Sequence, residues 1–302
     1  GTPSLLSPES LERVLETLGK RFRLDAPEIT LEANPDDLSP ALADAWKALG
    51  VNRISLGVQS FDNEALRYLG RRHDAEGARR ACAIVAERFE NWSMDLIFGA
   101  HPARSFDATL EACATFAPPH VSAYGLTYET GTPFGKRGDE AIDEETYLRF
   151  FWLAEERLPG LLRYEISNFA RPGFECRHNL VYWHNEEYAG FGPAAYSFLD
   201  NVRARNAVAL HDYLERPGEK AEALALTGAE IHLETVIQHL RLRAGLDKAY
   251  YRRRFGREVE EDFGTALTAL IARGLVEEDA ETFRPTRSGL ELNNEIGLAL
   301  LA

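Results

Sequence analysis

Two strand-length apolar runs decide the reading of this chain: Ile29-Thr-Leu-Glu-Ala-Asn-Pro35 and Arg53-Ile-Ser-Leu-Gly-Val-Gln-Ser-Phe61. Each ends in polar residues, Glu32 and Asn34 in the first and Gln59 and Ser60 in the second, and one helix length of sequence separates them. The pattern is a βαβ unit with a polar rim. In parallel α/β folds the carboxyl ends of the strands carry the site, so Glu32 and Gln59 are expected at one shared mouth.

Working outward, the unit repeats. Ser7-Pro8-Glu9 supplies an N-cap, a first-turn proline and a first-turn acid, and Leu11, Val14, Leu15 and Leu18 keep helical spacing, which predicts a helix over 8–22. Strands are expected at 29–33, 53–58, 92–98 and 120–126, and helices at 40–49, 63–69, 75–88, 105–116 and 144–158. Such alternation implies a parallel sheet and, with no GxGxxG turn after any strand, a full or partial (βα) barrel. The opening Gly1-Thr2-Pro3-Ser4 is a turn feeding a helix with no strand ahead of it, so the barrel is expected to lack its first strands. Asp95 stands inside an otherwise apolar strand. A carboxylate there needs a partner or a ligand, which leaves a helix-capping or ion-paired residue and a site residue both open.

Residues 164–205 break the alternation. Aromatics, histidines and glycines crowd together there, in Tyr164-Glu-Ile-Ser-Asn-Phe-Ala170, Cys176-Arg-His178-Asn179-Leu-Val-Tyr182-Trp183-His184 and the glycine-rich run to Phe198. The mix suits a flat apolar ligand with one polar contact, and equally an aromatic β-extension of the core with a satisfied histidine. From 227 onward, helix, helix, short hairpin and helix predict a mostly helical, winged-helix-like domain. The expected division is therefore 1–226 and 227–302.

Composition narrows the function. The 302 residues carry a formal charge of −14, and 45% are hydrophobic. That is an ordinary globular balance with the wrong sign for phosphate neutralisation, and the acidic hairpin 277–281 would not enter a groove, so nucleic acid is excluded as the expected partner. No apolar run is long enough to span a bilayer and no signal peptide is visible, which predicts a cytoplasmic protein. Cys82, Cys113 and Cys176 are too far apart for a local metal motif and too few for a disulfide framework, so reduced thiols are expected.

The ordered series Gly-Thr-Pro-Ser, Glu32-Ala-Asn-Pro, Arg-Ile-Ser-Leu-Gly-Val-Gln-Ser-Phe, Leu-Gly-Arg71-Arg-His, Asp95-Leu-Ile-Phe-Gly, Tyr-Glu-Ile-Ser-Asn-Phe-Ala and His-Asn-Leu-Val-Tyr-Trp carries a family resemblance. It resembles the radical S-adenosylmethionine (SAM) proteins related to oxygen-independent coproporphyrinogen III oxidase, and among them the HemW-type heme chaperone branch, over nearly the whole chain. The resemblance implies a heme-binding or heme-trafficking chaperone with a protein acceptor of heme. Its alternatives are an oxidase that decarboxylates coproporphyrinogen in porphyrin biosynthesis, or a cluster-less binding module. It implies SAM contacts at Gly1, Thr2, Glu32, Gln59, Arg71 and Asp95. Backbone and Glu32 would serve the ammonium, Arg71 the carboxylate, and Gln59 and Asp95 the ribose hydroxyls. It implies heme contacts at His178, Asn179, Tyr182 and Trp183, with His178 as the iron ligand. The family's [4Fe–4S] cluster is held by a Cys-x-x-x-Cys-x-x-Cys motif ahead of the Gly-Gly-Thr-Pro turn. The ligands are therefore expected upstream of residue 1, because none of the three cysteines here can substitute. The run Gly99-Ala-His-Pro-Ala-Arg-Ser105 also departs from the family's Gly-x-Pro-Gly-Gln-Thr.

Overall fold

The structure, a computed structural model, describes residues 3–23, 27–100, 105–132 and 134–301. Gly1, Thr2 and residues 101–104 lie outside the described residues. The chain divides into two compact units, Gly1–Glu175 and Cys176–Ala302.

In the first unit the chain runs through α1 (Pro8–Arg21), β1 (Thr30–Ala33), α2 (Pro40–Ala48), β2 (Arg53–Gln59), α3 (Asn63–Tyr68), α4 (Ala75–Arg88) and β3 (Asn91–Phe98). It continues with α5 (Ser105–Phe116), β4 (His120–Gly125), α6 (Glu144–Arg157), β5 (Leu162–Arg163) and β6 (Asn168–Ala170). The helix starts follow the sequence chemistry: Ser7, Ser39, Asp62, Asp74 and Asp143 each accept a backbone N–H of the first turn, and prolines open α1 and α2. The strands order β1-β2-β3-β4-β6-β5. β1 to β4 are parallel, as the alternation predicts, and β6 is antiparallel to β4 and β5.

Register separates the two faces of this sheet. One face carries Leu31, Ala33, Ile54, Leu56, Val58, Trp92, Met94, Leu96, Phe98 and Val121, all buried. Burying the Val, Leu, Ile, Met and Phe side chains among them stabilises the unit by ~1.5–3 kcal/mol each. The other face is polar: Thr30, Arg53 and Asn91 stand in one row, Glu32, Ser55, Ser93 and His120 in the next, and Asp95 with Ser122 in a third. In β1 to β4 a two-residue period thus puts every charged or hydroxylic residue on the same side, whereas Arg163 of β5, in register with Phe169 and Val121, lies on the apolar side.

The second unit holds α7 (Arg177–Trp183), β7 (Tyr196–Leu199), β8 (Val202–Asn206), α8 (Leu210–Glu215), β9 (Lys220–Ala225) and α9 (Gly228–His239). It goes on with β10 (Leu246–Asp247), α10 (Lys248–Phe255), α11 (Val259–Ala272), β11 (Val276–Glu278), β12 (Thr282–Pro285), α12 (Arg287–Glu291) and α13 (Asn293–Leu301). Val236, Leu240, Tyr251, Leu267, Leu270 and Phe283 form its core. The helix–helix–hairpin–helix order expected from 227 onward is present. The compact division nevertheless falls at 175/176, ahead of the expected 226/227, for a physical reason. A bidentate pair joins Arg203 to Glu234 (2.7 and 2.9 Å), Asn185 Nδ2 donates to Thr235 Oγ1 (3.1 Å), and Arg254 donates to the carbonyls of His184 and Asn185. These bonds tie residues 176–206 to α9 and α10.

The aromatic β-extension expected over about 164–205 contains strands but is interrupted by a helix. Residues Arg177–Trp183 are a helix, and the strands on either side belong to different sheets, β5 and β6 to the six-stranded one and β7 and β8 to a three-stranded antiparallel one with β9. No glycine or proline lies within 177–183, and Arg254 caps its C-terminal carbonyls.

Candidate cofactor and ligand sites

The polar rim forms where β1 and β2 end. Glu32 is exposed on β1 beside Ser55, whose hydroxyl donates to Asp95 Oδ2 at 2.7 Å, so Glu32 and Asp95 share a face one strand apart. Asp95 Oδ1 accepts from Ser93 at 3.0 Å. A carboxylate offers about four lone-pair sites. Two hydroxyls therefore leave Asp95 able to accept further donors, such as a diol.

Gln59 ends β2 with a left-handed backbone (φ 66°), and the pairing with β3 shifts register between Leu56 and Gln59. Its carboxamide folds back over Gly57. A Cβ at position 57 would stand 2.9 Å from Gln59 Nε2, 3.6 Å from the Ala33 carbonyl and 3.7 Å from Asn34 Oδ1. Glycine is thus what lets the amide lie against the ends of β1 and β2.

Arg71 follows the left-handed Gly70 after α3. Its turn is pinned by both neighbours: Arg72 pairs with Asp37 (3.0 Å) and Asp36 (3.5 Å) just beyond β1, and His73 Nε2 donates to the Val58 carbonyl of β2 (3.0 Å). Arg71 itself is half-buried, its Nε is buried with no hydrogen-bond partner, and burial lowers the guanidinium pKa. A desolvated, unpaired donor on a pinned turn is a site for an anion.

Glu32, Gln59, Arg71 and Asp95 are thus at or near the carboxyl ends of β1, β2 and β3. An acid, an amide, an unpaired guanidinium and a serine-held carboxylate fit a ligand that carries an ammonium, a carboxylate and a diol. Sequence reasoning passed over Gly57, Ser93, His120 and Tyr164. A usable signal was present: polar residues recur at period two in strands whose other positions are apolar.

In the second unit, α7 sorts the His178-Asn179-Leu-Val-Tyr182-Trp183 motif onto two sides. His178 is exposed, and its ring lies 4.8 Å from Tyr182, edge to face; Tyr182 in turn lies 4.6 Å from Tyr188. Four residues apart on a helix, His178 and Tyr182 share a face. Asn179 and Trp183 share another, half-buried. The Arg241 guanidinium covers the indole at 4.6 Å, and Trp183 Nε1 is buried without a partner. His184, next in sequence, stacks obliquely on His239 (5.2 Å, 31°), and burial holds both rings below the usual histidine pKa, His239 at about 4.

The cysteines offer no iron site. None of the three is in a disulfide and all are buried, burial pushes the Cys82 thiol up to about 12 and raises that of Cys113 as well, and no group of three metal-ligating side chains occurs among the described residues. These residues do not fit a [4Fe–4S] cluster. Two of the three arginines of α10 are engaged as well: Arg252 pairs with Glu258, and Arg254 donates to carbonyls. No helix among the described residues is long and apolar enough to cross a membrane.

Comparison with known proteins adds three findings. The radical SAM superfamily model matches residues 1–113, and the HemN C-terminal domain model matches residues 226–292. The heme chaperone HemW of Bacillus subtilis (strain 168) is 31% identical, with 100% of this chain and 83% of that protein covered. Heme chaperone HemW of Lactococcus lactis subsp. lactis (strain IL1403) is 33% identical over 98% of this chain and 81% of its own length. Among solved structures, coproporphyrinogen III oxidase (HemN) from Escherichia coli, a radical SAM enzyme, superposes with a TM-score of 0.83 at 23% identity, over 99% of this chain and 76% of that one. That likeness concerns the fold: an α/β sheet of the radical SAM type joined to a mostly helical C-terminal part.

Proposed function

We propose that this chain, which belongs to the heme chaperone HemW family of the radical SAM superfamily, binds heme on the exposed face of α7 and SAM at the carboxyl ends of β1 to β3. The observation that carries the heme reading is the sorting of the motif. His178 is exposed with the Tyr182 ring beside it and Tyr188 beside Tyr182, while Trp183 lies half-buried under the Arg241 guanidinium. An exposed imidazole can reach an iron, and rings beside it offer a flat apolar macrocycle a surface to lie on.

The SAM reading rests on fit. Arg71, whose buried Nε lacks an acceptor, would receive the carboxylate, Glu32 the ammonium, and Gln59 and Asp95 the ribose hydroxyls. Gly1 and Thr2 would add backbone contacts to the ammonium. The superfamily implies both SAM and a [4Fe–4S] cluster. In radical chemistry, reductive cleavage of SAM supplies a 5′-deoxyadenosyl radical; the residues of this chain bind and orient. A chaperone that holds heme must also release it, so a protein acceptor of heme belongs to the same proposal.

Heme titration of the wild type and His178→Ala tests it. The expected outcome is a Soret band shifted on binding by the wild type, with the variant showing an altered Soret position and weaker binding. Identical spectra and affinities would remove His178 as the ligand. Decarboxylation of coproporphyrinogen by the protein would overturn the chaperone reading in favour of the oxidase.

A further inference from the structure

Behind Asp95, on the same polar face, lies a chain of hydrogen bonds with a single direction. Ser93 and His120 are fully buried. Ser93 Oγ is 3.0 Å from Asp95 Oδ1 and 2.8 Å from His120 Nδ1, and His120 Nε2 is 2.9 Å from the Tyr164 hydroxyl. A carboxylate has no proton to give, so the single Ser93 hydroxyl proton points to Asp95. Ser93 must then accept from His120, which places the ring proton on Nδ1. Nε2 is left as the acceptor and takes the Tyr164 phenol proton. The ring is neutral, because burial, reinforced by Arg53, holds its pKa well below 6.5. Ser122, 3.3 Å from Ser93, can fill the second lone pair of the serine without reversing the order.

We propose that Tyr164 and His120 are positioning residues for Asp95: through the one-way chain Tyr164, His120, Ser93 they orient its carboxylate so that its free lone pairs receive the ribose diol of SAM. The proposal rests on the reading of Asp95 as a ribose contact. Hydrogen bonds in series inside a low-dielectric core polarise one another, so the last bond of the chain is sensitive to the first. The Ser93–Asp95 end of the chain favours Nδ1–H by itself; without the Tyr164 hydroxyl the buried Nε2 lone pair has no donor, which weakens that preference. In the Nε2–H tautomer Nδ1 becomes an acceptor and competes with Asp95 for the Ser93 proton.

Two measurements on the whole chain test this. The first is long-range 15N–1H correlation of the His120 ring, which should show the Nδ1–H tautomer in the wild type and a larger share of Nε2–H in Tyr164→Phe. The second is calorimetric titration with SAM. Tyr164→Phe and His120→Leu should weaken binding about 3- to 10-fold, the scale of one neutral hydrogen bond. His120→Asn, whose Nδ2 can stand where Nδ1–H stands, should recover most of the loss. Asp95→Ala should weaken binding at least as much as either. Absence of SAM binding by the wild type, or unchanged binding by Asp95→Ala, removes the ribose reading and this proposal with it. If Asp95→Ala weakens binding while Tyr164→Phe leaves both affinity and tautomer unchanged, the ribose reading stands and the positioning chain is wrong. An Nε2–H tautomer in the wild type also overturns it. Should His120→Leu fail to fold, Tyr164→Phe and the ring spectrum decide alone.

Discussion

Replacing Arg71 by methionine separates a binding role from a structural one by the sign of two effects. Methionine keeps an unbranched apolar stem and removes the charge. In the free protein the Arg71 Nε is buried with no partner, and the guanidinium carries a desolvation penalty that lowers its pKa. Its removal breaks no hydrogen bond of the fold, so stability should stay level or rise by up to ~1 kcal/mol. Binding should move the other way. A guanidinium–carboxylate contact in a half-buried site is worth ~1.5–3 kcal/mol, which corresponds to a loss of roughly 10- to 150-fold in SAM affinity. Arg72→Met is the matched control. Arg72 is two-thirds exposed and pairs with Asp36 and Asp37, so its removal should cost ~0–1 kcal/mol of stability and, with His73 still holding the turn to the Val58 carbonyl, lower affinity far less than Arg71→Met does. Calorimetric titration with SAM and denaturant unfolding of the three proteins supply both quantities. Destabilisation by more than ~1 kcal/mol with unchanged affinity would falsify the assignment of Arg71 as an anion contact.

Two further outcomes follow from particular contacts. Gly57→Ala places a Cβ 2.9 Å from Gln59 Nε2, the movable end of a side chain, so unfolding should change little while SAM affinity falls about 3- to 10-fold through loss of the Gln59 amide; equal affinity would place Gln59 outside the site. Acid should weaken the second unit through His239. Its pKa is about 4 in the folded chain against an ordinary value of 6.5, so unfolding takes up a proton. The associated stability is fully present above about pH 6.5 and is lost as pH falls toward 4, roughly 3 kcal/mol in all. Denaturant midpoints of the wild type and His239→Gln from pH 7.5 to 4.5 should diverge in slope, and parallel curves would exclude this origin.

Residues alone determined much of this protein. Cap residues and apolar periods placed the first-unit helices and the parallel strands, because an N-cap hydroxyl and a two- or 3.6-residue period are local properties that every neighbour repeats. Motif order carried the family and drew attention to Glu32, Gln59, Arg71, Asp95 and His178. What tertiary structure decided is what depends on register and on partners far away in the chain. The six-residue aromatic motif is helical, and Arg254, some 70 residues later, donates to the carbonyls of His184 and Asn185 just beyond its end. The compact boundary moved to 175/176 because Glu234 and Thr235 hold Arg203 and Asn185. Ser93 and His120 are unremarkable in sequence, and Tyr164 opens a family motif that by itself assigns it no role. Parallel pairing of β3 with β4 sets Ser93 against His120, and the neutral ring between a serine and a phenol then acquires a direction that no local pattern encodes. Spacing along the chain can specify which residues face one way; only the register of neighbouring strands specifies which of them touch.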